Sequence, residues 1–164
     1  MEVAGIEHKA SAIEVILLRS ARRYDLDTDA VVFGNGHPYT RETYRKAGVG
    51  ETADTIFEFS RGMAAMKVDN AEYALLTAIV IFSERPSLVD PRKVEKIQEI
   101  YLEALRAYTQ LQRPPGASSN VLARLLMKLT ELRSFSNEHS EMLFSLKLQH
   151  HKLPPLLAEI WDVQ

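Results

Sequence analysis

The sequence predicts an all-α domain with one small β-hairpin, and three observations predict it. Apolar residues recur at three- and four-residue steps through most of the chain. Helix-start chemistry stands ahead of those stretches, as Thr40, Asp69 with Glu72, Asp90 with Pro91, and Pro154 with Pro155. A β-favouring run at 29–33 is followed by the turn residues Gly34, Asn35 and Gly36. With 164 residues, 46% of them hydrophobic, the chain is long enough to bury a substantial core as one domain.

The first helix is expected from about Lys9 to Tyr24, with Ala12, Ile13, Ile16, Leu17 and Ala21 on its stripe and Val15 and Leu18 widening it. Arg19 lies inside that apolar run. It either turns outward as a solvated side chain or sits buried, where it needs a partner or an oxygen-rich ligand. Arg22 and Arg23 suit the negative end of the helix. The hairpin follows, with Pro38, Tyr39 and Thr40 as its returning strand. Thr40 then caps a short helix that Gly48 stops, so Tyr39 and Tyr44 project from a compact corner. Each is a packing residue with its hydroxyl in water or a ligand contact.

Residues 51–67 form a helix with Ile56, Phe57, Phe59, Met63 and Met66 facing inward. Asp69 and Glu72 make a capping box for residues 73–82, a run apolar nearly all round and the candidate for a central, fully buried helix. Glu84, Arg85 and Pro86 break it. Asp90 and Pro91 open a surface helix whose stripe is Val94, Ile97, Ile100, Tyr101, Leu105 and Tyr108. The segment 112–119, rich in Pro, Gly and Ser, is a loop. A long helix from Val121 to about Gln149 carries Leu122, Leu125, Leu126, Leu129 and Leu132, a stripe that serves as core or as an oligomer seam. Its polar patch 134–140 is expected to bend or loosen it, because Ser and Asn compete for backbone hydrogen bonds. The chain closes on a two-turn amphipathic helix, 154–162, with Leu156, Leu157, Ile160 and Trp161 on one face and Glu159 beside it. A helix so short holds its shape only when docked.

Composition removes several function classes. A net charge of −2 does not supply the basic face that phosphate binding needs, so no direct nucleic-acid contact is expected. With no cysteine there is no disulfide, thiol nucleophile or Cys-ligated zinc site. No window approaches the roughly 18 consecutive apolar residues of a membrane span, and residues 1–8 read as a leader or appended end rather than a signal peptide. There is no Gly-rich phosphate loop, G-x-S-x-G elbow or H-E-x-x-H motif, and the adjacent His150 and His151 point about 100° apart, a poor chelate. A binding module is therefore expected, not an enzyme, with no metal and no cofactor. Arg19, His139 and the Trp161 indole are polar groups inside apolar runs, the lining that orients a hydrophobic ligand carrying hydroxyls.

The closing run LLAEIW at 156–161 has the apolar-apolar-x-Glu-apolar-apolar form of an activation helix, and the longer SLKLQHHKLPPLLAEIWDV at 145–163 extends the likeness. So do SAIEVILLRSARRYD at 11–25, YTRETYRKAG at 39–48, VDNAEYALLTAIVIFSERP at 68–86 and VEKIQEIYLEALRAY at 94–108. Over roughly residues 9–163 the chain resembles the ligand-binding domain of nuclear receptors, in the branch of arthropod ecdysone receptors. That resemblance implies a helical sandwich over residues 9–164, truncated at its N-terminal side, in a ligand-activated nuclear transcription factor. It also implies an ecdysteroid or related sterol ligand, an ultraspiracle or retinoid X receptor heterodimer partner and LxxLL coactivators.

By position, the resemblance puts Arg19, the Gly34 carbonyl, Tyr39 and Tyr44 on the ligand, with Trp161 closing over it. Glu159, with Leu156 and Leu157, would hold the coactivator helix by its N-terminal end, where a carboxylate complements free N–H groups. Leu122, Leu125, Leu126 and Leu129, with the helix from Asp90, would form the dimer interface. His139 stands where ecdysone receptors usually carry asparagine and liver X receptors carry histidine, and LLMKL at 125–129 leans the same way. An oxysterol or bile-acid sensor of the same branch therefore stays open as the ligand class. So does a dimerisation fragment, shortened or engineered, without a working pocket. The resemblance also places the front pocket wall, with its clamp lysine, outside this chain.

Overall fold

The computed structural model describes the backbone of residues 3–48, 50–83 and 89–148, and side chains across 13–48, 50, 52–83 and 89–138. These fall into two compact units, the described residues of 3–15 with 69–141, and those of 16–68 with 142–148. The order of elements is α1 (Val3–Arg22), β1 (Tyr24–Asp25), β2 (Ala30–Val32), β3 (Pro38–Tyr39), α2 (Arg41–Lys46), α3 (Gly50–Ala65), α4 (Asn70–Ile81), α5 (Pro91–Gln112) and α6 (Ser118–Leu148). The mostly helical architecture with one small sheet is the one the sequence predicts. Helix α1 starts at Val3, ahead of the expected Lys9.

In the unit from Ile16, the end of α1 buries Leu17, Leu18 and Ala21. The chain leaves it directly into an antiparallel sheet of order β1-β2-β3, with Tyr24 opposite Val31 and Val31 opposite Tyr39. The expected hairpin is present as β2–β3, and a third strand, β1, pairs beside it. The extra strand forms because the turn after Asp25 is built from side chains. Asp25 accepts from the Asp27 amide at 3.0 Å and the Thr28 hydroxyl at 2.9 Å, and Asp29 adopts φ +48°, the left-handed region that Asp tolerates. The second turn closes through the Gly36 amide on the Phe33 carbonyl, with Gly36 at φ +76°. Thr40 caps α2 in a reciprocal box with Thr43. Against α2 and β1 lies α3, and the core of this unit is Tyr24, Val31, Tyr44, Ala53 and Phe57, with Ile16, Phe33 and Tyr39 packed on it.

In the other unit, Asp69 caps α4 and Glu72 returns the bond to the Asp69 amide, as the sequence predicts. Asp90 caps α5 with Pro91 in the first turn. Helices α4 and α5 pack together, and Phe82 stacks on Tyr101 with ring centroids 5.7 Å apart. From α5, the Gln98 amide donates to the Ile79 carbonyl and the Ser83 hydroxyl, satisfying an acceptor in the last turn of α4. The expectation that α4 is buried all round is not met. It buries Tyr73, Leu76, Ile79 and Val80, whereas Ala74 and Ile81 are exposed, Ile81 at 52%. An all-apolar composition states what a helix can bury, not how many neighbours it meets.

Helix α6 runs unbroken through the polar patch that was expected to loosen it. Within the patch the Ser136 hydroxyl bonds to the Arg133 carbonyl and to Glu14 Oε1, each at 3.1 Å, so its polar demand is met without unwinding. Among the described residues no helix is long and apolar enough to cross a membrane.

Candidate functional site

The sheet, α2 and α3 form an aromatic corner with a charged rim. Phe57, fully buried on α3, meets Tyr24 and Tyr44 edge-on, with centroid distances of 6.0 and 5.4 Å and interplanar angles of 88° and 89°. Tyr39 lies tilted against Phe33 at 5.5 Å and its hydroxyl accepts from the Asn35 amide at 3.0 Å. Tyr44 is only 1% exposed, and its hydroxyl makes no hydrogen bond of proper geometry. Burial raises that phenol well above its ordinary pKa, and the nearby Ser20 hydroxyl offsets only part of the shift. A buried hydroxyl left without a partner is a standing polar demand that an incoming acceptor or donor would meet.

On the rim, Arg41 gathers three carboxylates. Its Nη1 lies 2.8 Å from Asp54, its Nη2 3.3 Å from Glu58 and its Nε 3.5 Å from Asp29, while its guanidinium sits 5.3 Å from the Phe57 ring centroid. Asp29 also accepts from the Tyr24 hydroxyl at 2.7 Å and pairs with Arg61 at 3.6 Å. The Tyr24 hydroxyl bond, then the charges of Arg41 and Arg61, hold the Asp29 carboxyl below its usual range. A group whose folded pKa is depressed stabilises above its unfolded pKa and loses that contribution as pH falls through the folded value. Acidification below about pH 4 is therefore expected to loosen this corner. In Asp29→Asn the acid-dependent part should shrink when unfolding midpoints are compared at pH 7 and about pH 2. Equal pH dependence in both proteins would reject this role for Asp29.

A second polar cluster joins α4 to the end of α5. Glu72, only 1% exposed at its side chain, accepts from Arg113 Nη2 at 2.7 Å, and the Tyr108 hydroxyl donates to Asp69 at 2.6 Å. The other Glu72 oxygen is buried without a hydrogen bond. Among the described residues no group of three His, Cys, Asp or Glu side chains is placed to hold a metal.

Residues 8–149 match the sequence profile of the ligand-binding domain of nuclear hormone receptors. The chain belongs to that family. Within it, this ligand-binding domain is 51% identical over 157 residues to the ecdysone receptor of Drosophila melanogaster and 52% over 157 residues to that of Chironomus tentans. It is 50% identical over 158 residues to the ecdysone receptor of Heliothis virescens. Each match covers 94% of this chain, but only 18%, 29% and 27% of the respective relative, so the chain spans less than a third of their length.

The structure brings Gly34, Tyr39 and Tyr44 of this receptor domain to one corner. Gly34 lies in the exposed turn with open space around it, Tyr39 is half-buried on β3 and Tyr44 is buried on α2. Arg19 is exposed on α1 and not buried within the apolar run. Leu17, Leu18 and Ala21 turn inward there, and Arg19 and Arg22, three apart, share the opposite side. On α6, Leu122 and Leu129 are half-buried and Leu126 is exposed. Leu125 is wholly buried within the chain, which removes it as a surface for a partner, because its position on the stripe faces inward with Leu132. The His139 backbone falls within α6 and its side chain lies outside the described residues, as do Glu159, Leu156, Leu157, Trp161 and the whole segment 154–162. Arg41 and the Glu72–Arg113 pair escaped sequence reasoning. Their partners lie 12 to 41 residues away, and nothing local marks such a pairing.

Proposed function

We propose that this chain is the ligand-binding and heterodimerisation module of an ecdysteroid-activated transcription factor that works in the nucleus, not an enzyme. The observation that carries the reading is the buried, unpartnered Tyr44 hydroxyl in an apolar aromatic corner, in a chain about half identical to ecdysone receptors. A polyhydroxylated steroid suits that corner because it offers carbon to the aromatic walls and an oxygen to the phenol. Tyr44, Tyr39 and the Gly34 carbonyl take the ligand from this side, Arg19 and His139 supply further polar contacts, and Trp161 closes over it. Glu159, with Leu156 and Leu157, holds an LxxLL coactivator helix.

The heterodimer partner, a retinoid X or ultraspiracle type receptor, uses the open apolar residues of α5 and α6. Ile100 is 66% exposed, Leu111 82% and Met127 67%, with Ile97 and Leu126 beside them in sequence, all large side chains left in water by this chain alone. His139 favours a second reading, an oxysterol sensor of the same branch. Titration of the purified chain with tritiated ecdysone, with and without the retinoid X type partner, tests the proposal. Saturable binding is expected, tighter with the partner present. Competition by an oxysterol and not by unlabelled ecdysone would transfer the ligand class to the second reading, and no binding in either condition would overturn the ligand-binding role.

A further inference from the structure

The Tyr44 hydroxyl makes no hydrogen bond of proper geometry and has only the Ser20 hydroxyl nearby, so the ring is placed mainly by packing. That packing runs through Phe57, which Tyr44 meets edge-on and which carries the Arg41 guanidinium on its face. Arg41 is the first residue of α2, three positions before Tyr44, so the two side chains lie on neighbouring parts of one short helix. Its fork reaches the turn before β2 through Asp29 and two successive turns of α3 through Asp54 and Glu58. Three elements are thereby gathered around the ring that seats Tyr44. A planar guanidinium spreads five donors in fixed directions over three nitrogens and can lie flat on a ring, whereas an ammonium gathers its three donors on one nitrogen and cannot stack while reaching carboxylates on different sides.

We propose that Arg41 is the positioning residue for Tyr44: by clamping Asp29, Asp54 and Glu58 over Phe57 it sets where the Tyr44 hydroxyl meets the ligand. The inference rests on the reading of Tyr44 as a ligand contact, but the clamp acts on the ring whether or not a ligand is present. It also differs from a general stabilising role. The ion pairs on this rim are part-exposed and individually weak, so loosening them should cost little in overall unfolding while shifting the ring they enclose.

The test uses the whole chain with ring-labelled tyrosine, Tyr44 signals being assigned by Tyr44→Phe, and compares the parent with Arg41→Lys. Three quantities are read: the Tyr44 ring shifts and their cross-peaks to Phe57 without ligand, the dissociation constant for tritiated ecdysone, and the thermal midpoint. In Arg41→Lys the Tyr44 signals should move and lose intensity to Phe57, and ecdysone affinity should fall about tenfold, the loss expected for one well-placed hydrogen bond. The thermal midpoint should change by only a few degrees. Unchanged Tyr44 signals in a folded Arg41→Lys protein would overturn the proposal, as would altered signals with undiminished ecdysone binding. If Arg41→Lys does not fold, Asp29→Asn takes its place, because it keeps an acceptor for Tyr24 while removing one leg of the clamp; an unmoved Tyr44 ring there overturns the proposal too. Should the parent itself bind no ecdysone, the ligand reading fails separately, and the ring signals alone decide whether Arg41 positions Tyr44.

Discussion

Arg113→Ala is expected to lower the unfolding free energy by about 3 kcal/mol, because it strands a carboxylate that the fold has taken out of water. Glu72 is 1% exposed, receives the Asp69 amide and Arg113 on one oxygen and has nothing on the other. Arg113 is itself only 15% exposed at its side chain, so solvent cannot easily replace it. Urea unfolding of the parent, Arg113→Ala, Glu72→Gln and the double variant gives the coupling directly. In the Glu72→Gln background the loss of Arg113 should cost much less, since a neutral amide remains without a buried charge to compensate. A cost below about 1 kcal/mol for Arg113→Ala would mean that the pair behaves as an ordinary surface ion pair.

Phe57→Ala is expected to cost about 4 kcal/mol, in the range for removing a fully buried aromatic side chain. The ring supports Tyr24 on β1, Tyr44 on α2 and the Arg41 guanidinium at once. Its removal should therefore release the sheet before the rest of the chain. Hydrogen exchange ought to accelerate at the amides of Val31 and Tyr39 far more than in the middle of α5. Ecdysone binding should fall with it, since Tyr44 loses its seat. A loss under about 1 kcal/mol, or uniform exchange across the chain, would show that the corner does not depend on this ring.

Features with a local cause were legible in the sequence. The Asp69–Glu72 box, the Asp90 cap ahead of Pro91, the Thr40 cap and the turn at Gly36 each close through bonds spanning about three residues, and all four are present. Runs of apolar residues likewise located α3, α4, α5 and α6 to within a few positions. Strand β1 was missed because Tyr24 and Asp25 are a pair of residues with no periodicity of their own; the turn bonds of Asp25 and the pairing to Val31 create the strand. The polar patch of α6 misled for the opposite reason. Serine competes with helix only while its hydroxyl is unsatisfied, and Glu14, 122 residues away, satisfies Ser136.

The candidate site divides in the same way. Residue identities along the chain were sufficient to name the receptor family and the tyrosines of the corner. Which way Arg19 and Leu125 face was not legible: Arg19 was open to a buried reading and is exposed, and Leu125, open to core or partner, is buried. By itself the sequence determined helices α2 to α6, the caps of α2, α4 and α5, and the family, because those follow from neighbours within a turn or from a likeness spread along the chain. Tertiary structure alone decided that Arg41 would join Asp29, Asp54 and Glu58, that Arg113 would find Glu72, and that Tyr44 would be buried with an unsatisfied hydroxyl. Those are meetings between distant segments, and their energies come from burial and charge that exist only once the segments are brought together.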